Sequence, residues 1–376
     1  MTGSRITALA LVALLAMAAS APAQSIKNAT TGSPKVQSIQ AIGFAPDGVL
    51  LIGDGKGAQV VAVQTGDTQP KPWAKTEIPN IQSLLGERLG AQGKGIEIVK
   101  MAVNPASQTA YFVVRIQQGK HDAILTVDGT GKVSEFSLEN VPHVIVSLPA
   151  DEGSPVTTIT DVTWAGDRVL VSALAKATFA SKVLSIPTPL TSGSVSLVFS
   201  TETYHVAHGR WETNAPIRTV IPYEEDGKRF LVGTFTCTPI VKYPLDQVQP
   251  GAKVKGVSVI ELGNGNQPLD MFAYDKGGKK YILMNHIRKF HAQNPVGPSP
   301  YWVAKIDYSI LKENEKVNQK AIVRVKGKAS ENLIPQTSVP AEYHGTVHMD
   351  RLNNENALVV RTTGKDTFNL VVLPLP

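Results

Sequence analysis

The sequence predicts an all-β protein built from six repeats of one strand hairpin, and three observations carry that prediction. Short runs rich in Val, Leu and Ile alternate with polar or Gly-containing turns along nearly the whole chain. One hairpin shape recurs roughly every 60 residues, with one shorter and one longer gap. Helical patterning is scarce, and its best window is "IPNIQSLLGERLG" (78–90), with apolar residues at Ile81, Leu84, Leu85 and Leu89. Regular multi-strand units of this size mark a β-propeller, in which four-stranded blades surround a central channel.

Taken in order, the hairpins begin with "IQAIGFAPDGVLLIGD" (39–54), "VKMAVNPASQTAYFVVR" (99–115) and "TDVTWAGDRVLVSA" (160–173). They continue with "RTVIPYEEDGKRFLVGT" (218–234), "LDMFAYDKGGKKYILMN" (269–285) and "YHGTVHMDRLNNENALVVR" (343–361). Third strands follow in "AQVVAVQTGD" (58–67), "DAILTVDGTGK" (122–132) and "YWVAKIDYS" (301–309). Six hairpins predict six blades, with seven as the alternative if a degenerate blade lies in 180–215 or 305–340. A pair of β-sandwiches is the competing all-β fold, and six copies of one hairpin shape argue against it. Ring closure is expected between a strand near 36–44 and the final run "FNLVVLPLP" (368–376), which would remove exposed sheet edges.

Residues 1–23 read as a secretory signal. Arg5 precedes the apolar run "ITALALVALLAMAAS", and "APAQ" supplies a small-x-small pattern ending at Ala23. The expected mature chain is therefore a single propeller domain over 24–376, periplasmic or secreted. No later segment approaches the roughly 20 apolar residues of a spanning helix. The formal charge of +6, or +5 without Arg5, is spread without a Lys/Arg-rich run, so no nucleic-acid partner is expected. The single cysteine, Cys237, excludes an internal disulfide framework.

The stretches "FAPDGVLLIGD…GAQVVAVQTGD" and "VNPASQTAYFVV" resemble exported propellers of the broad quinoprotein-like, YVTN/NHL-type group. The resemblance implies architecture and no particular reaction, because propellers host many chemistries.

In propeller topology the start of each first strand and the end of each second strand gather at one mouth of the channel. Those positions are Gln40 with Asp54, Lys100 with Arg115, Asp161, Arg218 with Cys237, Asp270 with Asn285 and His286, and His344 with Arg361. The stretch "TYHVAHGRWETNAP" (203–216) precedes the fourth blade and is expected to be a loop on this face, with the helical insert 70–97 as a lid.

Four chemistries fit these residues. His205, His208, Cys237 and His286 form a candidate transition-metal set, since imidazole and thiolate suit copper or zinc. Asp161, Asp270 and Asn285 offer oxygen donors for calcium, as in a lactonase-like metal-dependent hydrolase. Lys100, Arg115, Arg210, Arg218 and Arg361 form a candidate clamp for a small anionic ligand, walled by Tyr204, Trp211 and Tyr343. Asp270, Arg218 and His208 are the candidate catalytic groups, and a redox-active site belongs to the same reading. Cys237 is a nucleophile only beside a base; "TFTCTPIV" also reads as a strand whose cysteine packs inward. The fourth reading is a scaffold that binds a partner protein through its rim loops and residues 310–340. No G-x-S-x-G elbow, P-loop, H-E-x-x-H or C-x-x-C-H motif is present.

Overall fold

The computed structural model describes residues 24–91, 95–116, 121–150, 153–194, 197–237, 239–246, 248–263, 265–288, 299–313, 315–318, 335–364 and 367–376. The expected signal segment, 1–23, lies outside them.

Six hairpins form the inner two strands of six blades, numbered here in chain order. Blade 1 has Ala41–Phe44, Val49–Asp54 and Gln59–Gln64. Blade 2 has Ile96–Val103, Ala110–Ile116, His121–Val127 and Val133–Phe136. Blade 3 has Val156–Trp164, Arg168–Ala175, Ser181–Pro187 and Leu197–His205. Blade 4 has Ile217–Glu225, Lys228–Phe235, Pro239–Pro244 and Val257–Glu261. Blade 5 has Asn266–Lys276, Lys279–Arg288, Tyr301–Asp307 and Thr337–Ser338. Blade 6 has Thr346–Arg351, Asn356–Gly364 and Thr367–Pro374. No seventh blade forms among the described residues: 180–215 supplies the outer half of blade 3, and 337–338 the outer strand of blade 5.

The ring does not follow chain order. Inner strands pack in the cyclic order 2-1-3-4-5-6. Six apolar clusters, one at each junction, support the same circuit: Leu51 with Val171 between blades 1 and 3, for example, and Phe112 with Leu358 between blades 2 and 6. The chain builds three strands of blade 1, then crosses back to start blade 2 on the far side of the ring's seam. On the way, Glu77–Ile78 adds the outer strand of blade 6 by pairing with Val371 and Leu370. After blade 2 the chain returns, and Val141–Ser147 becomes the fourth strand of blade 1.

This corrects the expected closure. The segment near 36–44 is the inner strand of blade 1 and pairs with Val49–Asp54, whereas the final run pairs with Glu77–Ile78. The helix α1, Ile81–Arg88, is present where the sequence placed it, but it is no lid. Ile81 and Leu85 are buried in the cluster between blades 2 and 6.

Candidate functional site

The inner strand of each blade has a ladder partner on one side only. Its other edge carries backbone N–H groups that are buried at the axis and need acceptors. The neighbouring blades supply them. Gln40 Oε1 accepts from Ile159 N at 2.8 Å, and Asp161 Oδ2 from Val220 N at 3.0 Å and from the Thr219 hydroxyl at 2.6 Å. Asp270 Oδ2 accepts from Met349 N at 3.1 Å, Asp350 Oδ2 from Val103 N at 2.7 Å, and Asp122 Oδ2 from Ile39 N at 2.8 Å. The blade 4–5 junction is joined through backbone, from Cys237 N to Asn266 O at 2.8 Å. Gln40, Asp161 and Asp270, singled out at the strand starts, are thus fasteners between blades.

Five inner strands carry a register shift at the same level: between Ile98 and Lys100, Ile159 and Asp161, Ile217 and Thr219, Pro268 and Met271, and Thr346 and His348. Such bulges re-aim side chains next to sites. Here they bring Lys100, Asp161, Thr219 and Asp270 to the floor of one axial cavity of about 720 Å³. It opens towards the turns of the inner hairpins, where Pro46, Pro105, Trp164, Pro222, Lys280 and Asn353 stand. This is the mouth opposite the one at which the sequence placed the site.

At the floor, the Lys100 ammonium lies 2.6 Å from Asp270 Oδ1, with their side chains 13% and 6% exposed. His348 Nδ1 stands 3.7 Å from Asp270 Oδ2, and its Nε2 3.2 Å from Ile98 O. Burial disfavours both charges, yet Lys100 is held well above its usual range by Asp270, Asp161 and Asp350. Asp270 is likewise held below the ordinary carboxylate range, burial being overcome by Lys100 and His348. Asp350 behaves oppositely. Burial, with the Asp270 charge added, pushes its carboxyl up to about 6 despite two backbone N–H bonds and Lys100.

The residues nominated from sequence separate into distinct places. Lys100, Asp161 and Asp270 converge. Asn285 supports them from behind: its Oδ1 accepts from Asp270 N, and its amide donates to Thr346 O and Val347 O. A calcium set of Asp161, Asp270 and Asn285 is not assembled, since Asn285 is consumed and the Lys100 ammonium already pairs with Asp270. The arginines do not form an anion clamp: Arg115 pairs with Asp122, Arg210 with Glu212, and Arg218 donates to Thr236 Oγ1 at 2.9 Å. Burial lowers Arg218, but neither it nor Arg361 lines the cavity.

The proposed four-residue metal set is also divided. His286 is fully buried, its ring stacked on Trp302 at 4.4 Å, and burial lowers it to about 3. Cys237 stands in a turn, not a strand; its φ is 68° and its side chain is half-buried. His205 and His208 stay together and gain Glu212, with donor atoms of the three within 4.8 Å of one another. The stretch 203–216 is not a loop over the channel. It extends the outer strand of blade 3 into a hairpin with Arg210–Glu212, in which His205 faces Arg210 and Thr203 faces Glu212. Two members of these clusters were not nominated from the sequence, Asp350 and Glu212. Asp350 follows His348 by two residues, the alternation that returns a side chain to the same face of a strand, but neither residue was marked in the sequence.

No family model matches the chain, and no curated protein matches it. Among solved structures, the PQQ-bound aldose sugar dehydrogenase from Streptomyces coelicolor is 12% identical with a TM-score of 0.37, over 92% of this chain and 97% of that one. A putative exo-beta-1,3-galactanase from Bifidobacterium bifidum s17 is 10% identical with a TM-score of 0.31, over 92% and 91%. A protein from Lactobacillus plantarum is 13% identical with a TM-score of 0.32, over 92% and 90%. At such identities the likeness concerns fold alone. By its own blades and junctions the chain is a six-bladed β-propeller.

Proposed function

We propose that this protein binds a small organic cation in the axial cavity. The observation that supports the reading is the charge set of the lining, in which Asp161, Asp270 and Asp350 surround Lys100 at the floor while Asp275, Lys280 and Arg351 also line the cavity, four carboxylates against three cations. The volume falls inside the range of about 300–1,000 Å³ usual for small-molecule pockets. Phe44, Trp164 and Phe272 contribute aromatic wall, which favours a cationic head through the ring faces, while the Tyr308 ring already carries the Lys280 ammonium at 5.0 Å. Asp270 is committed to Lys100 and Asp161 to the blade 4 backbone. Asp350, the carboxyl easiest to switch between neutral and charged, is the group expected to meet the ligand's ammonium.

Calorimetric titration with a primary alkylamine and a quaternary ammonium, against a carboxylate of matched size, tests the reading. Asp350 is mostly neutral below about pH 6 and charged above it, so amine affinity should rise about tenfold between roughly pH 5 and 7.5. Equal binding of the carboxylate, or an amine affinity indifferent to pH, would overturn it. The apolar segment after Arg5 supports the further reading that the protein works after export. A mature chain beginning near Gln24 is the expected result of N-terminal sequencing, and an intact Met1 in the extracytoplasmic fraction would refute it.

A further inference from the structure

We infer that His205, His208 and Glu212 form a divalent transition-metal site on the outer edge of blade 3, separate from the axial cavity. The placement follows from strand geometry. Residues opposite each other in an antiparallel pair share a face, and so do residues two apart. His205 opposite Arg210 and Thr203 opposite Glu212 therefore put His205 and Glu212 on one face as diagonal neighbours. The tight turn 206–209 then folds His208 over them. Its backbone closes on His205 O through His208 N at 3.2 Å and Gly209 N at 2.9 Å, with Gly209 at φ 65°.

The result is two stacked imidazole rings with centroids 5.1 Å apart and planes 8° from parallel, with one carboxylate beside both. Glu212 Oε1 is 2.8 Å from His208 Nδ1, and Oε2 is 3.7 Å from His205 Nε2. Zinc holds nitrogen and oxygen ligands at about 2.0–2.2 Å, which spaces ligand atoms about 3.4 Å apart in a tetrahedron. Side-chain adjustments of about an ångström therefore suffice to close the three donors on an ion.

The independent sign of a ligand is His205 itself. It is 2% exposed, and neither ring nitrogen has a hydrogen-bond partner. A buried polar group without a partner costs about 1–3 kcal/mol, and His205, unlike the equally unpartnered His286, has an imidazole and a carboxylate within reach to share an ion. Beneath the turn, the buried Glu261 accepts from Val206 N at 2.8 Å and Ala207 N at 3.3 Å, while its Oε1 is also unpartnered. It fixes the turn from blade 4. Arg210, the cation now on Glu212, is 73% exposed and free to swing into water. Two imidazoles and a carboxylate suit zinc among first-row ions, with a fourth position left for water or an exogenous ligand.

The test is calorimetry of the full chain, stripped by chelator, with Zn²⁺ alone, and visible absorption with Co²⁺ alone. Saturable one-to-one Zn²⁺ binding and the d–d bands of tetrahedral Co²⁺ are expected. His208→Ala and the near-isosteric Glu212→Gln should each weaken Zn²⁺ about tenfold or more. His208 is half-exposed, so the metal-free melting temperature of His208→Ala should stay near that of the parent. Absence of Zn²⁺ binding by the parent, or binding unchanged in both variants, would overturn the inference. Cation binding in the axial cavity is expected to survive both substitutions, so the two sites fail or stand separately.

Discussion

Lys100 and Asp270 meet at the axis from blades 2 and 5, which flank blade 6 on either side, and neither charge is tolerable there alone. Asp270 also holds the blade 6 backbone through Met349 N, so its carboxylate serves two junctions at once. Lys100→Met keeps the length of the side chain but leaves Asp270 without its counter-charge. The expected loss is about 3 kcal/mol, the cost of breaking a buried pair, read from urea unfolding midpoints. The exposed pair of Lys312 with Asp226 should contribute well under about 1 kcal/mol in the same assay. A Lys100→Met loss as small as that would show the axial pair to be marginal. The pH dependence has opposite signs at the two carboxylates. Asp270, held low, contributes stability above the unfolded carboxylate range that is lost on acidification through its folded value. Asp350, held near 6, costs stability as pH rises from about 4 through 6.

At the scale of elements, the inner strands explain why binding groups and structural groups coincide. A two-against-one bulge turns Lys100, Asp161 and Asp270 towards the axis, where they meet both the unpaired edge of the next blade and the cavity. Close approach matters as much as charge. A Cβ at Gly43 would stand 2.3 Å from Val162 O of the adjoining inner strand, so only glycine lets blades 1 and 3 meet at this point. The hairpins themselves were legible in the sequence because strands of this kind alternate visibly and their turns carry Gly, Asp and Asn. The stretch 203–216 was misread for an instructive reason. Its polar, proline-containing composition resembles a loop, but Thr203, His205, Arg210 and Glu212 pair in register as a short ribbon whose chemistry lies in one diagonal contact. Periodicity marks a strand; it does not mark which strand lies opposite.

For the whole molecule, closure is the property on which stability turns. Blade 6 is completed by Glu77–Ile78 and blade 1 by Val141–Ser147, so two blades draw strands from distant parts of the chain. Ending the chain at residue 366 would remove Thr367–Pro374, leave Glu77–Ile78 without a partner and expose the edge of Asn356–Gly364. Loss of the cooperative thermal transition is expected, since such a change removes about the whole stability margin of a folded domain, 5–15 kcal/mol. An unchanged melting temperature by circular dichroism would show that the seam is dispensable. The hairpin count and the 81–88 helix were determined by the sequence alone, because hydrophobic period and turn chemistry are local, whereas the choice of six blades over seven was made by strand pairing. Ring order, the mouth that holds the cavity, the pairing of Lys100 with Asp270 and the meeting of His205, His208 and Glu212 were decided only by tertiary structure. Each depends on which strand lies beside which, and that is set by packing between residues far apart in the chain.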